Sequence, residues 1–268
     1  MTLHEPRRTD GARLTLRDAA VGRGRTPVLD GVTLDVVPGE VLTVVGASGC
    51  GKSTLLRTLA GLLPLLDGEL YEDGQPVTGP GGGRALVFQE DGLLPWRTAR
   101  ANVELPLAIR RVGRAERRAR ASEWLAGVGL AGYEDRLPHR LSGGQRQRVQ
   151  LARALAGEPR VLLMDEPFGA LDAQTRAGMQ QLVVDVLRSS RATVVFVTHD
   201  VDEALFLGDR VALLGGGPAV RISDVPRPRD RSAHDAPATT ALRRALLESL
   251  GSPGARPDRT PATWKAPV

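Results

Sequence analysis

The chain has 268 residues, 41% hydrophobic but only 3% aromatic, which suits one large α/β domain, or one domain plus a small appendage, with an aliphatic core. Its formal charge of +5 is carried almost wholly by arginines dispersed along the chain, so no compact basic block points to nucleic acid. The single cysteine, Cys50, excludes an internal disulfide, no run reaches the roughly 20 apolar residues of a membrane span, and Met1–Asp10 lacks the apolar stretch of a secretory signal; a soluble cytoplasmic protein is expected.

Leu14–Leu16 and Val32–Val37 alternate as half-buried strands do. Pro38-Gly39 then turns the chain into Val41–Val45, a continuous apolar run that reads as a fully buried strand, and Ser53–Leu63 follows as a helix. Glu69–Tyr71 and Ala85–Phe88 are further short strands, with a glycine-rich turn at Gly79–Gly83 between them. Over residues 98–137 the apolar spacing becomes helical, and Arg110–Arg120 supplies a solvated helix face. Another helix runs from after Ser142 to about Ala156. Strands return at Val161–Met164, Val194–Val197 and Val211–Leu214, with a helix over Ala173–Arg188. Strand–helix alternation interrupted by an all-helical insert implies a parallel sheet with a helical lobe at its side. Beyond Pro226 proline and arginine dominate, with one helix over Thr240–Leu250 and a loose tail over 251–268.

Three segments carry chemistry. Gly46-Ala47-Ser48-Gly49-Cys50-Gly51-Lys52-Ser53-Thr54 fills every fixed position of the phosphate loop, and it lies between a predicted strand and a predicted helix. Its glycines let backbone N–H groups turn toward an anion. Lys52, one of only two lysines, would contact the β- and γ-phosphates, and the Ser53 hydroxyl would ligate Mg²⁺. Cys50 reads as a small filler. Asp165 and Glu166 end an apolar strand, where the turning backbone can bring both carboxylates to one ligand; Asp165 suits Mg²⁺, through water, and Glu166 suits a general base for attacking water. Ser142-Gly143-Gly144-Gln145 fits a capping box and, with its exposed first N–H groups, an anion site. If too far from its own phosphate loop, it can serve the nucleotide of a second copy.

These motifs resemble the ATP-binding subunits of ABC transporters over about residues 12–225. The resemblance implies a P-loop ABC ATPase core with a parallel sheet, an antiparallel β subdomain and a helical subdomain at about 90–157. It implies ATP and Mg²⁺, and a homodimer in which Ser142–Gln145 act across the interface on the partner's nucleotide. Gln89 matches the glutamine loop, a sensor of Mg²⁺ and of the membrane partner. Asp172 matches the loop joining the two active sites, although alone it would simply cap the following helix. His199 matches the histidine that contacts the γ-phosphate. The family's usual aromatic ring against adenine is missing, and Arg23 falls near its place with a planar guanidinium that can stack on the base.

Phe88-Gln-Glu-Asp-Gly-Leu-Leu-Pro-Trp-Arg97, Phe168–Arg176, Gly79-Pro-Gly and the Arg227–Asp230 segment are similar to importer ATPases for taurine, sulfonates and nitrate. That implies integral membrane permease subunits as partners at the cytoplasmic face of the membrane. An extracytoplasmic binding protein would choose the solute, so this chain would meet it only indirectly. An ATPase for another solute or an exporter, and a non-transport ATPase of the same superfamily, are the alternatives; about ninety residues between Thr54 and Leu141 leave no room for the long coiled coil of chromosome-maintenance ATPases. The expected organisation is an ATP-binding domain over 1–225 and a Pro/Arg-rich tail over 226–268.

Overall fold

The computed structural model describes residues 10–90, 92–169, 171–215, 220–226, 228–229 and 236–251. Of the expected loose tail over 251–268, Gly251 ends a helix, and residues 252–268, the amino end, Asp91, Ala170, Arg227 and Asp230 lie outside the described residues. The two alternating segments near the start pair as a hairpin of β1 (Leu14–Arg23) and β2 (Thr26–Val36). Both are longer than their alternation suggests. The register shifts after Leu16, where Asp18 takes a φ of 43°, and such a bulge scrambles the in–out pattern beyond it.

Val41–Gly46 is β3, buried at every residue, and α1 (Lys52–Leu59) starts just past the glycine loop. Next come β4 (Asp67–Glu72), the two-residue β5 (Gln75–Pro76) and β6 (Arg84–Val87). The helical insert holds α2 (Ala99–Ile109), α3 (Arg114–Gly127), a single 3₁₀ turn at Pro138–Arg140 and α4 (Gly143–Ala156). The chain returns through β7 (Val161–Asp165), α5 (Ala173–Ser190), β8 (Thr193–Thr198), α6 (Val201–Leu207), β9 (Arg210–Leu214) and β10 (Arg221–Asp224), then α7 (Pro237–Gly251).

The strands form two sheets. One is antiparallel, in the order β2-β1-β4-β5; the other runs β10-β9-β3-β8-β7-β6 and is parallel except for β10. Consequently β5 and β6, neighbours in sequence, belong to different sheets. Both faces of the parallel sheet are buried. Leu163, Val195 and Val197 face a core shared with α1 and the antiparallel sheet, while Leu162, Met164, Val194 and Phe196 alternate onto the opposite core with α5 and Phe168. A third core joins α2, α3 and α4 through Val103, Leu107, Leu125 and Val149. These layers are a parallel-sheet core with an antiparallel β subdomain and a helical subdomain, the architecture that the resemblance implies.

Register decides where the chemistry can sit. Val44 pairs with Val197, and Val197 pairs with Asp165, so β3, β8 and β7 end together. Gly46, Thr198 and Asp165 therefore leave the sheet along one carboxyl edge, where open α/β sheets present their ligand crevice.

Candidate functional site

A cavity of about 390 Å³ opens at that edge. Ser48, Gly49, Gly51, Lys52, Ser53 and Thr54 form its floor, and Gln89, Glu166 and Arg23 stand at its sides. Volume alone would not choose it, because a hollow of about 420 Å³ lies beside Pro38, Gly39 and Arg191 at the other end of the sheet. The convergence of the side chains does.

Gly49 and Gly51 have φ of 79° and 105°, conformations that L side chains rarely adopt. A methyl on Gly49 would meet no atom within 4 Å, so the glycine faces the open cradle. Lys52 is buried, and its Nζ donates to the carbonyls of Gly46 (2.8 Å) and Ala47 (3.1 Å) while lying 3.6 Å from Glu166. The amide of Cys50 closes the loop on the Ala47 carbonyl, and burial pushes the Cys50 thiol up, away from the reactive thiolate.

The Ser53 hydroxyl donates to Asp165 Oδ1 at 2.8 Å. Asp165 is only 5% exposed; burial pushes its carboxyl up, and the bond from Ser53 pulls it back. One hydroxyl and one carboxylate beside a phosphate cradle fit Mg²⁺, which keeps several waters and needs few protein ligands. Among the described residues no cluster of three or more His, Cys, Asp or Glu offers a full protein cage.

Glu166 takes a φ of 41°, the left-handed region, and its amide bonds the Val197 carbonyl at 2.9 Å. Asp165 remains in the strand while Glu166 turns out of it, so adjacent residues both reach the site instead of facing opposite ways. Such a conformation costs on the order of 1–3 kcal/mol and is typical of functional positions. His199 Nδ1 lies 3.0 Å from Glu166 Oε2, which places the carboxylate between the histidine ring and Lys52.

The Ser142–Gln145 segment is not in this cavity. Ser142 Oγ accepts the Gln145 amide and Gln145 Oε1 accepts the Ser142 amide, completing the capping box. Gly143 and Gly144 make the first turn of α4, and a methyl on Gly144 would lie 2.7 Å from Thr175 Cγ2. Asp172 caps α5 by accepting the Thr175 amide at 3.0 Å, and hydrogen bonding to Thr175 holds its carboxyl below the usual range. Its capping is thus real whatever else it does.

Several participants escape sequence reasoning. Thr26 and Val28 line the cavity beside Arg23. Gln147, Gln150 and Arg153, at three-residue intervals on α4, donate to the backbone carbonyls of Gln89, of Phe88 and Glu90, and of Gly92. Asn102, fully buried in α2, accepts the Leu94 amide and donates to the carbonyls of Leu94, Arg97 and Thr98. This single side chain fixes the turn on which Trp96 stands 72% exposed while Leu93 is buried in the helical core. The polar face of α4 was the available signal, since amides at i and i+3 of a helix share a side.

The model of the ABC transporter family matches residues 29–169. A taurine import ATP-binding protein of Chromobacterium violaceum is 49% identical over 234 residues, covering 84% of this chain and 89% of that protein. A nitrate import ATP-binding protein of Synechococcus elongatus is 45% identical over 237 residues, covering 85% of this chain and 36% of that protein. A solved dimeric ATP-binding cassette, in a post-hydrolysis state with ADP and Pi bound, superposes with a TM-score of 0.71 at 35% identity, covering 80% of this chain and 99% of that one.

Proposed function

The chain belongs to the ABC transporter family and is an ATPase of the importer type; from that premise we propose that it energises uptake of taurine, another sulfonate or nitrate. Relatives named for taurine and nitrate import support the solute class. The observation that carries the mechanism is one cavity joining Lys52, Ser53, Glu166 and Gln89, with Asp165 behind Ser53 and His199 on Glu166.

In this reading the backbone N–H groups of residues 46–54 hold the phosphates, and Lys52 moves from its loop carbonyls to phosphate oxygens. Ser53, Asp165 and Gln89 would hold Mg²⁺, which when bound would supply positive charge beside the phosphates. Glu166 accepts the proton of the attacking water on a carboxylate oxygen. His199 Nδ1 orients that carboxylate and leaves Nε2 for the γ-phosphate. Ser142–Gln145, remote from this cradle, act on the nucleotide of a second copy, with Asp172 between the two sites. Arg23 lies against the base.

The ATP-binding domain is residues 1–225, with 226–268 as an appendage carrying α7. No helix among the described residues is long and apolar enough to cross a membrane. Attachment to the cytoplasmic face is assigned to integral permease subunits, with an extracytoplasmic binding protein selecting the solute beyond them, as relatives named for import support. Trp96 is the docking anchor, because a large exposed aromatic on a fixed turn suits an interface hot spot. Trp96→Ala should weaken permease association by about 2 kcal/mol or more and abolish labelled-taurine, sulfonate or nitrate uptake, with folding and ATP binding intact. Unchanged co-purification of this variant with the permease would remove Trp96 from the interface. Normal uptake of all three solutes in cells lacking the chain would remove the solute class.

A further inference from the structure

Glu166 stands in the wall of two hollows. One is the cavity with Lys52 and Ser53; the other is a chamber of about 20 Å³ whose lining includes Arg176, Thr198, His199, Asp200 and Glu203. A polar space of that size holds about one water molecule, which needs roughly 10–15 Å³ and two to four polar partners. Glu203 is only 5% exposed, and its Oε1 accepts Gln180 Nε2 at 3.1 Å. Burial pushes its carboxyl up, and hydrogen bonds from Thr198 and Gln180 pull it back. None of this is used by the hydrolytic steps derived above.

Arg176 and Gln180 lie one turn apart on α5, and both reach toward the start of α6. The Arg176 guanidinium is anchored at one corner, where Nη2 donates to the Leu171 carbonyl at 3.1 Å. Nη1 lies 3.9 Å from Asp200 Oδ2, near enough for charge attraction but too far for a hydrogen bond. Nε is buried and has no partner among the described residues. A buried N–H is costly unless something accepts from it. The acceptors of the chamber are the carboxylates of Glu166, Asp200 and Glu203, and none of them bonds Nε directly. A water molecule meets both needs, accepting from Nε and donating its two hydrogens to carboxylates that each have several lone pairs.

We propose that the chamber holds one internal water, bound by Arg176 Nε and donating to the carboxylates of Glu203 and Glu166, so that Arg176 and Glu203 are positioning residues for the general base. The inference rests on the reading of Glu166 as that base. Lys52 lies 3.6 Å from Glu166 Oε1 and His199 3.0 Å from Oε2, and the water adds a third contact that fixes the rotation of the carboxylate. Neither Arg176 nor Glu203 lines the cavity with Lys52 and Ser53, so both act on the rate of the chemical step and not on the binding of nucleotide.

The test joins a crystal structure of the full-length chain, at a resolution that shows ordered water, to turnover of Mg-ATP by variants. A water within hydrogen-bond distance of Arg176 Nε and of both carboxylates is expected; a dry chamber, or Nε bonded directly to protein, overturns the proposal whatever the variants do. Arg176→Met should lower kcat by on the order of 10–10²-fold, the effect of a slightly misplaced catalytic group, with the dissociation constant for ATP unchanged. Arg176→Lys keeps the charge but puts a methylene where Nε stands, and it should lose kcat in the same way. Full activity of Arg176→Lys overturns the proposal. In a Glu166→Gln background, Arg176→Met should leave the residual rate unchanged, because two residues that act through one group are not additive. An equal loss in both backgrounds overturns the proposal and leaves Glu166 in its role; near-normal turnover by Glu166→Gln alone removes that role, and the proposal with it.

Discussion

Two helices begin beside glycine-rich segments, and their first turns are finished in opposite ways. At α1 the capping residue is Gly51 in a left-handed conformation, with no side chain closing the turn. The unbonded N–H groups that open every helix, with the positive end of its dipole, are left for a ligand, and Lys52 adds its charge beside them. At α4 the turn closes on itself: Ser142 Oγ takes the Gln145 amide and Gln145 Oε1 takes the Ser142 amide. Only Gly143 and Gly144 keep free N–H groups there among the described residues. One helix start is completed by what binds it. The other is a finished surface, stable alone, that can be offered to a nucleotide held by another molecule.

The largest effect should come from the group that empties the α1 site. Glu166→Gln should slow hydrolysis by roughly 10²–10⁴-fold, the usual contribution of a positioned general base. ATP binding should persist, and an ATP-dependent dimer should accumulate in light scattering, because the α4 start then stays clamped on a nucleotide that is not consumed. Near-normal turnover in the presence of the permease would remove Glu166 from its role.

Asn102→Leu addresses the turn that carries Trp96, next to the segment that α4 holds. The Leu94 amide and the Arg97 carbonyl would lose their partner, and the Leu94 and Thr98 carbonyls one of two, a cost of roughly 2–4 kcal/mol. Thermal unfolding should show it as a lowered midpoint, and permease association should fall as the Trp96 turn loosens. Loss of association with no loss of stability would place Asn102 on the surface instead.

A smaller change isolates the cap. Ser142→Ala should cost about 1 kcal/mol of stability, the usual value of an N-cap, while nucleotide affinity of the monomer stays the same. A drop in monomer affinity would mean that α4 contributes to the nucleotide site of its own chain.

These differences follow how clearly each region was written in the sequence. Gly46–Thr54 was legible because backbone geometry needs glycine at fixed places and the lysine among them adds positive charge for an anion. The buried strands were legible because Val41–Val45 and Val161–Met164 are apolar without interruption, as strands covered on both faces must be. β5 and β10 were missed, since short edge strands such as Arg221–Asp224 carry no apolar pattern. Helix α6 was missed because its seven residues are too few to show a period. The turn of Glu166 was foreseen as a possibility, but its left-handed backbone depends on the neighbouring Val197 carbonyl, a long-range contact. Asn102 and the α4 face were hidden for the same reason, because their partners are backbone carbonyls contributed by another segment.

The claim that the hydrolytic site is shared between two copies is tested most directly by mixing two inactive chains. Lys52→Ala removes the charge at the α1 cradle, and Ser142→Arg places bulk and charge at the α4 start. Each alone should lose hydrolysis, and Ser142→Arg should still bind nucleotide as a monomer. Mixed, they should regain activity at up to one composite site per heterodimer, formed by the intact Lys52 of one chain and the intact Ser142 of the other. Normal hydrolysis by Ser142→Arg alone, or no recovery in a mixture shown to form heterodimers, would contradict a site assembled across the dimer.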